Sequence, residues 1–476
     1  MKTRDIVSVC GLLGIWLALA TAAPVLADAD GAGVADLGVV RNDTLLVTRH
    51  AVVEAALAHN EMLAASDAMT DAAGADALGA WRGYLPRLSV GAYRIRTDDA
   101  LYGFGFKLNQ RRATQMDFSA PPMPGAPAPV TGDALNHPGT SENNITQIKL
   151  QQPVFNGGMA LYGKKAADAM SRAAAHEHRR AAQTVRFHAV QAYEGLVLAK
   201  AYEDVMLSAL ASADGHLGQA RALYENDMVT EADLLQARVY RAGVEQRLIE
   251  VRNMVAVAGE HIKLLTALET DLPLAPDPDA GFSGADHATL SSDDRPDVVA
   301  GREKAAAAAN MARMTRGRLL PHLNLSAEKN WFHHDTFLGD EADSWTFGIY
   351  ATWDIFSGLE NIGALRKARA ESRAASHMSD FRTRQANAEA VQASLEASAN
   401  DKKLEVAEDA VAAAREGLRI VTEMYREGLA SMVDLLDVQA AATMAEGNLV
   451  QARHDHRVSD ARMAYTGRPQ FAATEE

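Results

Sequence analysis

Proline is spread so unevenly along this chain that its absence sets the folding problem. The sequence has 15 prolines, yet none lies between Pro153 and Pro273 and none between Pro321 and Pro469. An interior proline costs a helix about 3 kcal/mol, so long tracts without it are where long helices form. Both tracts are rich in Ala, Leu, Glu, Arg and Gln, the strong helix formers. Apolar residues recur at three- and four-residue spacings, as at Val229, Ala232, Leu235 and Val239, which makes an apolar stripe. Each tract is interrupted once by turn residues, Glu225-Asn226-Asp227 in the first and Glu427-Gly428 in the second. The pattern predicts two long helices per tract, over about 158–268 and 358–466. A helix from Gly158 to about Gly215 spans roughly 85 Å at 1.5 Å per residue, and it needs a partner helix along its length.

Composition agrees. Hydrophobic residues make up 48% of the chain but aromatic residues only 6%, which suits long packed helices better than a globular core. The formal net charge of −15 argues against nucleic acid as a partner. Lys2 and Arg4 precede an apolar run from Ile6 to Ala23, and Val25-Leu26-Ala27 offers small residues before Asp28. Residues 1–27 therefore read as a cleaved secretory signal; an uncleaved anchor is the alternative, and the short run disfavours it. The only cysteine, Cys10, lies inside that segment, so the mature chain is expected to carry no disulfide and no thiol chemistry. No later segment is long and apolar enough for a membrane helix, so any further membrane crossing must be by strands.

The two halves of the chain match at a fixed offset of 201 positions without a gap over about 100 residues. Phe155 and Gly157 answer Phe356 and Gly358. Ser171-Arg172-Ala173-Ala174 with His176 answers Ser372-Arg373-Ala374-Ala375 with His377. Tyr224, Asp233, Leu234 and Leu235 answer Tyr425, Asp434, Leu435 and Leu436. A duplicated unit of this length implies a pseudo-two-fold arrangement. The repeats are expected over 28–268 and 298–468, with a linker over 269–297 and a tail over 469–476. Upstream, Leu85-Pro86-Arg87-Leu88 answers Leu320-Pro321-His322-Leu323. The first copy is longer there, with a Pro- and Gly-rich loop insertion over 97–144.

Four segments have strand length and pattern: about 87–96, 145–155, 322–332 and 345–356. The fourth alternates Phe347, Ile349, Ala351, Trp353 and Ile355 against Gly348, Tyr350, Thr352 and Asp354. About ten residues is the length of a tilted membrane-spanning strand. Tyr93, Phe155, Trp331, Phe332, Trp345 and Phe356 gather at strand ends, where interfacial aromatics lie. Four strands cannot close a barrel around a passage, and an open edge is not tolerated in lipid. The edges must be paired by further copies, and three copies give 12 strands.

These features together resemble the TolC-type outer-membrane factor family. The resemblance runs from about Thr44 to Thr466. It rests on the double repeat, the Leu-Pro-x-Leu start of each first strand and the exits Phe155-Asn156-Gly157 and Phe356-Ser357-Gly358. It rests also on Arg295-Pro296-Asp297 and on the hairpin turn Tyr425-Arg426-Glu427-Gly428-Leu429. It implies a mainly α fold with a membrane β-barrel, in which each pseudo-repeat is a strand pair plus a long antiparallel helical hairpin. The homotrimer carries a 12-stranded barrel in outer-membrane lipid and a helical tube across the periplasm. The implied function is the exit duct of a tripartite efflux or type I secretion system, passing drugs, ions or proteins. Its implied partners are a periplasmic adaptor (membrane fusion protein) and, through it, an inner-membrane pump. No cofactor and no catalysis are implied. A periplasm-spanning coiled-coil or adaptor protein without a pore is the alternative.

The resemblance also places functional residues. Asp434 and Asp437 match lumen aspartates at the constriction, and their i, i+3 spacing puts both on one helix face. Tyr425 matches a tyrosine that bonds to a neighbouring helix in the closed state, and Asp233 matches its acceptor. The adaptor-docking tips are Asn226, Asp227 and Met228 in the first repeat and Glu427, Gly428 and Leu429 in the second. Two departures stand out: Ala430 replaces the family's arginine, and Asp227 stands where glycine is usual.

Other motifs read as decoys. Gly158 to Lys165 imitates a phosphate loop, but Lys165 occupies the place of the magnesium-binding Ser or Thr. His176-Glu177-His178 and His454-Asp455-His456 have an i, i+2 spacing that splays the imidazoles apart on a helix. Gly103-Phe104-Gly105-Phe106 lacks the third glycine of a dinucleotide loop and is expected to be surface loop near the barrel mouth. No nucleophile–base pair or metal cluster emerges.

Overall fold

The computed structural model describes residues 32–114, 117, 136–137, 139–278, 291–337, 339 and 342–469. The expected signal 1–27 with Cys10, the proline cluster 121–124 and the tail past residue 469 lie outside the described residues. In chain order the elements are α1 (Val34–Leu37), β1 (Gly38–Arg41), β2 (Thr44–Val47), α2 (Arg49–His59), α3 (Glu61–Gly79), β3 (Arg87–Thr97), α4 (Ala100–Asn109) and β4 (Ser141–Asn156). There follow α5 (Met159–Glu225), α6 (Glu231–Thr266), β5 (Leu274–Pro276), α7 (Pro296–Arg316), β6 (His322–His333), β7 (Ala342–Thr352), α8 (Glu360–Arg426) and α9 (Met432–Thr466). The two proline-free tracts hold α5 with α6 and α8 with α9. Both α5 and α8 run for 67 residues without a break.

The chain forms two compact units, and each draws on both halves of the sequence. One comprises residues 67–179 and 292–387 and contains a four-stranded antiparallel sheet of order β3-β4-β6-β7. Over its central rows the register sorts the side chains by face. One face carries the rows Leu88–Leu150–Ala327–Phe347 and Val90–Ile148–Lys329–Trp345. The other carries Ser89–Lys149–Glu328–Thr346 and Gly91–Gln147–Asn330–Ser344. Leu88, Val90, Trp345, Phe347 and Ile349 are all exposed. On the polar face Lys149 pairs with Glu328 at 2.5 Å. Lys329, the one cation in the two apolar rows, reaches Asp343 and lies 5.8 Å from the Trp331 ring centre.

The strand ends differ from expectation in two places. β4 begins at Ser141 rather than near residue 145, because β3 pairs with it as far as Thr97–Ser141; the polar residues there carry no alternation to read. β7 spans Ala342–Thr352 rather than 345–356. Its last partner is His322, and Pro321 just before has no backbone N–H to extend the ladder. Trp353, Ile355 and Phe356 therefore lie past the strand, exposed. At the turn after β4 Gly157 is required twice over. Its φ is +63°, and a Cβ there would lie 2.4 Å from the Gly317 carbonyl oxygen.

The insertion holds more than loop. Gly103-Phe104-Gly105-Phe106 lies within α4, because Asp99 caps the helix by accepting from the Tyr102 N–H at 2.9 Å. Gly103, Phe106 and Gln110 are buried at i, i+3 and i+7, so packing overrides the weak helix propensity of glycine.

The second unit comprises residues 1–66, 180–291 and 388–476. In it β1, β2 and β5 form a small sheet. Leu37, Leu45, Val47, Val52 and Leu274 pack there with Val185, Tyr193, Leu196, Ile262 and Ala461 from α5, α6 and α9. Nothing in the sequence pattern anticipated this sheet, whose strands have only three or four residues. Along α5 the buried positions include Val185, Ala189 and Leu196; their repeat counterparts on α8 are Ala386, Ala390 and Ala397. Small side chains at the seam let helices approach closely, which is why so few aromatics are needed. The stripe read from the sequence behaves otherwise. Leu235 and Val239 are exposed on α6, while Ala237, Val244 and Leu248 face its core.

Candidate functional site

The ends of the two long hairpins lie within the second unit and are built alike. α5 ends in a reverse turn in which Met228 N–H donates to the Leu223 carbonyl at 2.9 Å and Asp227 N–H to Tyr224 at 3.0 Å. α8 ends the same way, with Leu429 N–H donating to Met424 at 2.7 Å and Gly428 N–H to Tyr425 at 3.1 Å. This is the two-bond helix termination that needs a left-handed residue. Gly428 takes φ +73° and its counterpart Asp227 φ +54°. Asn226, Asp227, Met228, Glu427, Gly428 and Leu429 are all exposed.

The helix that follows each turn starts with a reciprocal cap. Thr230 Oγ1 accepts from the Asp233 N–H, and the Asp233 carboxylate accepts from the Thr230 hydroxyl at 2.7 Å and N–H at 3.0 Å. Ser431 and Asp434 repeat this, at 2.6 Å and 2.9 Å to the carboxylate. Thr230-x-x-Asp233 and Ser431-x-x-Asp434 carry the sequence signal of this cap, which hydrophobic periodicity alone does not reveal. Hydrogen bonds from the Ser431 hydroxyl and then its N–H hold the Asp434 carboxyl below the usual carboxylate range. Asp434 and Asp437 are both exposed, one helical turn apart. The counterpart of Asp437 in the first repeat is Gln236, so only the second hairpin presents the acidic pair.

Tyr425 is buried at 6% exposure, whereas its counterpart Tyr224 is 39% exposed. It packs with Ala220, Ala237, Met432, Leu435 and Leu436, and Ala430 lies against that cluster. Its hydroxyl has no hydrogen-bond partner among the described residues. Burial, and then the charge of Asp233, push the phenol's pKa up. Asp233 is near enough to act on Tyr425 through charge, but its carboxylate is engaged by Thr230. Behind the tip, Gln439 bridges His216 at 3.3 Å and Thr443 at 3.4 Å, a buried polar link that the sequence pattern did not reveal.

The decoy motifs are absorbed by structure. Lys164 pairs with Asp168 and lies 5.3 Å from the Trp81 ring centre, so it is not a solvated lysine. His456 bonds Asp401 at 2.9 Å, and Glu177 bonds Lys304 at 2.5 Å.

Residues 290–464 match the family described as outer membrane efflux protein. The fold extends the likeness well beyond the matched residues. VceC, an outer membrane protein of Vibrio cholerae, is similar with a TM-score of 0.73 at 20% identity, covering 89% of this chain and 97% of its own. The CmeC outer membrane channel of Campylobacter jejuni is similar with a TM-score of 0.75 at 18% identity, covering 88% and 85%. The open state of the MtrE outer membrane channel of Neisseria gonorrhoeae gives 0.70 at 16%, covering 90% and 93%. No curated protein sequence matches the chain. The fold is thus that of outer-membrane channels.

Proposed function

We propose that this protein is the outer-membrane exit duct of a tripartite efflux or type I secretion machine. The observation that carries this is the amphipathic sheet. Its apolar rows are exposed, its opposite face bears Lys149, Glu328, Gln147 and Asn330, and β3 and β7 are left as edges. A sheet that exposes Phe347 and Leu88 on one side suits lipid, and two open edges in lipid require further copies. Three copies close 12 strands around a polar passage. A pore-free coiled-coil or adaptor has no use for such a sheet.

In this duct the exposed turns at 226–228 and 427–429 meet the periplasmic adaptor, which joins the duct to an inner-membrane pump. Asp434 and Asp437 of three copies ring the narrow end. Clustered carboxylates attract cations, so multivalent cations bind there and obstruct flow. Purified protein reconstituted in planar bilayers is expected to conduct, and multivalent cations added on the helical side to block it. If Asp434→Asn with Asp437→Asn leaves that block unchanged, the aspartates are not the constriction. If no conductance is seen from folded trimer, the duct itself is refuted.

A further inference from the structure

We infer that α4 lies across the polar face of the sheet and forms an apolar constriction at the outer mouth of the barrel, with Leu101, Tyr102 and Leu108 facing the passage. This rests on the duct reading above. β3 and β6 run away from the long helices, and α4 follows β3 directly, so α4 stands at the far end of the strands. Its start, capped by Asp99, adjoins the β3 edge. Its other end reaches β7, where Arg111 Nη2 donates to the Asp343 carbonyl and carboxylate at 3.3 Å. A helix of 10 residues is about 15 Å long, and three inter-strand spacings come to about 14 Å. α4 therefore bridges the full width of the sheet.

The face it covers is the polar one. Gln110 donates to Asn143 Oδ1 and to the Glu142 carbonyl, each at 2.9 Å. Asn143 pairs with Ile95, and Phe332 with Ala342; by register all four share the face of Lys149 and Glu328. Asn143, Phe332 and Ala342 are buried there, as is Ser326 further along the same face, while Gln147, Lys149, Glu328 and Asn330 between them are part-exposed. On α4 itself, Gly103, Phe106 and Gln110 turn inward. Leu101 is left 79% exposed and Leu108 51% on the side away from the sheet, and Tyr102, 62% exposed, flanks them with its ring 6.1 Å from that of Phe106.

Closure sets the scale. Twelve strands about 4.8 Å apart, tilted by about 40°, enclose a backbone diameter of about 24 Å. A helix with its side chains is about 10–12 Å across. One such helix from each of three walls fills most of the opening, and its free apolar side chains line what remains. The outer end of the duct then presents a barrier of its own, independent of the helix tips, that disfavours large polar solutes.

The test uses the full-length protein in the outer membrane of intact cells, with Cys10 replaced by alanine and single cysteines introduced. Ser89→Cys sits on the polar face, about 20 Å below Ile95 at 3.4 Å per residue. Val90→Cys sits on the apolar face. A small maleimide added outside is expected to label Ser89→Cys slowly and Val90→Cys hardly at all. Adding Leu101→Ser, Tyr102→Ser and Leu108→Ser should raise the Ser89→Cys rate about tenfold, a barrier lower by about 1.4 kcal/mol. Leu108→Trp should lower it, and detergent-resistant trimers confirm assembly in every case. Equal rates in all three backgrounds, with Val90→Cys still protected, would overturn the constriction and leave the duct standing. Labelling of Val90→Cys but not Ser89→Cys would overturn both.

Discussion

At the scale of single residues, the two hairpin turns form a natural comparison. Both end a 67-residue helix with the same pair of backbone hydrogen bonds, yet one uses Gly428 and the other Asp227 in the left-handed conformation. A side chain there costs roughly 1–2 kcal/mol, less for Asp and Asn, partly offset by the greater freedom of glycine in the unfolded chain. Asp227→Gly is expected to stabilise the first tip by about 0.5–1 kcal/mol, and Gly428→Asp to weaken the second by a similar amount. Hydrogen exchange of the amides from 220 to 232 and from 421 to 433 reads the two separately. Leu359 presents the same situation at the strand–helix junction: its φ is +70°, and its counterpart Gly158 has φ +83°.

At the scale of elements, one aspartate that resemblance assigns to the lumen, Asp434, also caps the start of a helix. Asp434 is the third residue of α9, and its carboxylate accepts two hydrogen bonds from Ser431. Since the folded tip lowers its pKa, the ionised form is the one favoured by folding. The stabilisation is complete above the usual carboxylate range and is lost as pH falls through the lowered value. Amide protection in the first turn of α9 should therefore drop on acidification, and Asp434→Asn should flatten that dependence while keeping a capping oxygen. Equal acid sensitivity in the variant would mean another group controls the turn. α4 makes the complementary point. Gly103 and Gly105 obscure it in sequence, because propensity there is poor; only burial against β4 and β7 selects the helix.

At the scale of the whole molecule, the side of the sheet that meets lipid is a matter of parity. Neighbouring residues of β7 point to opposite faces, so Phe347→Arg and Thr346→Arg place the same charge in different surroundings. A cation on the lipid face near mid-membrane costs about 2–4 kcal/mol. Phe347→Arg should therefore deplete detergent-resistant trimers from the outer membrane, while Thr346→Arg should assemble normally. Equal assembly of the two would remove the basis for assigning lipid to the apolar rows. The exposed Leu235 and Val239 of α6 likewise have no cover among the described residues.

Covalent chemistry and short-range periodicity are legible in the sequence by itself, and they determined the long elements. Proline inside a helix is costly, so its absence marked the tracts of α5, α6, α8 and α9. Side-chain alternation marked the four strands, and the 201-residue repeat tied the two tips together. Periodicity could not show which apolar stripe turns inward, since Leu235 and Ala237 differ only by which neighbour arrives beside them. Nor could it place the end of β7, the Lys149–Glu328 pair, the small β1-β2-β5 sheet or α4. Each depends on a strand or helix distant in the chain, and only when those contacts form does one local possibility prevail over the rest.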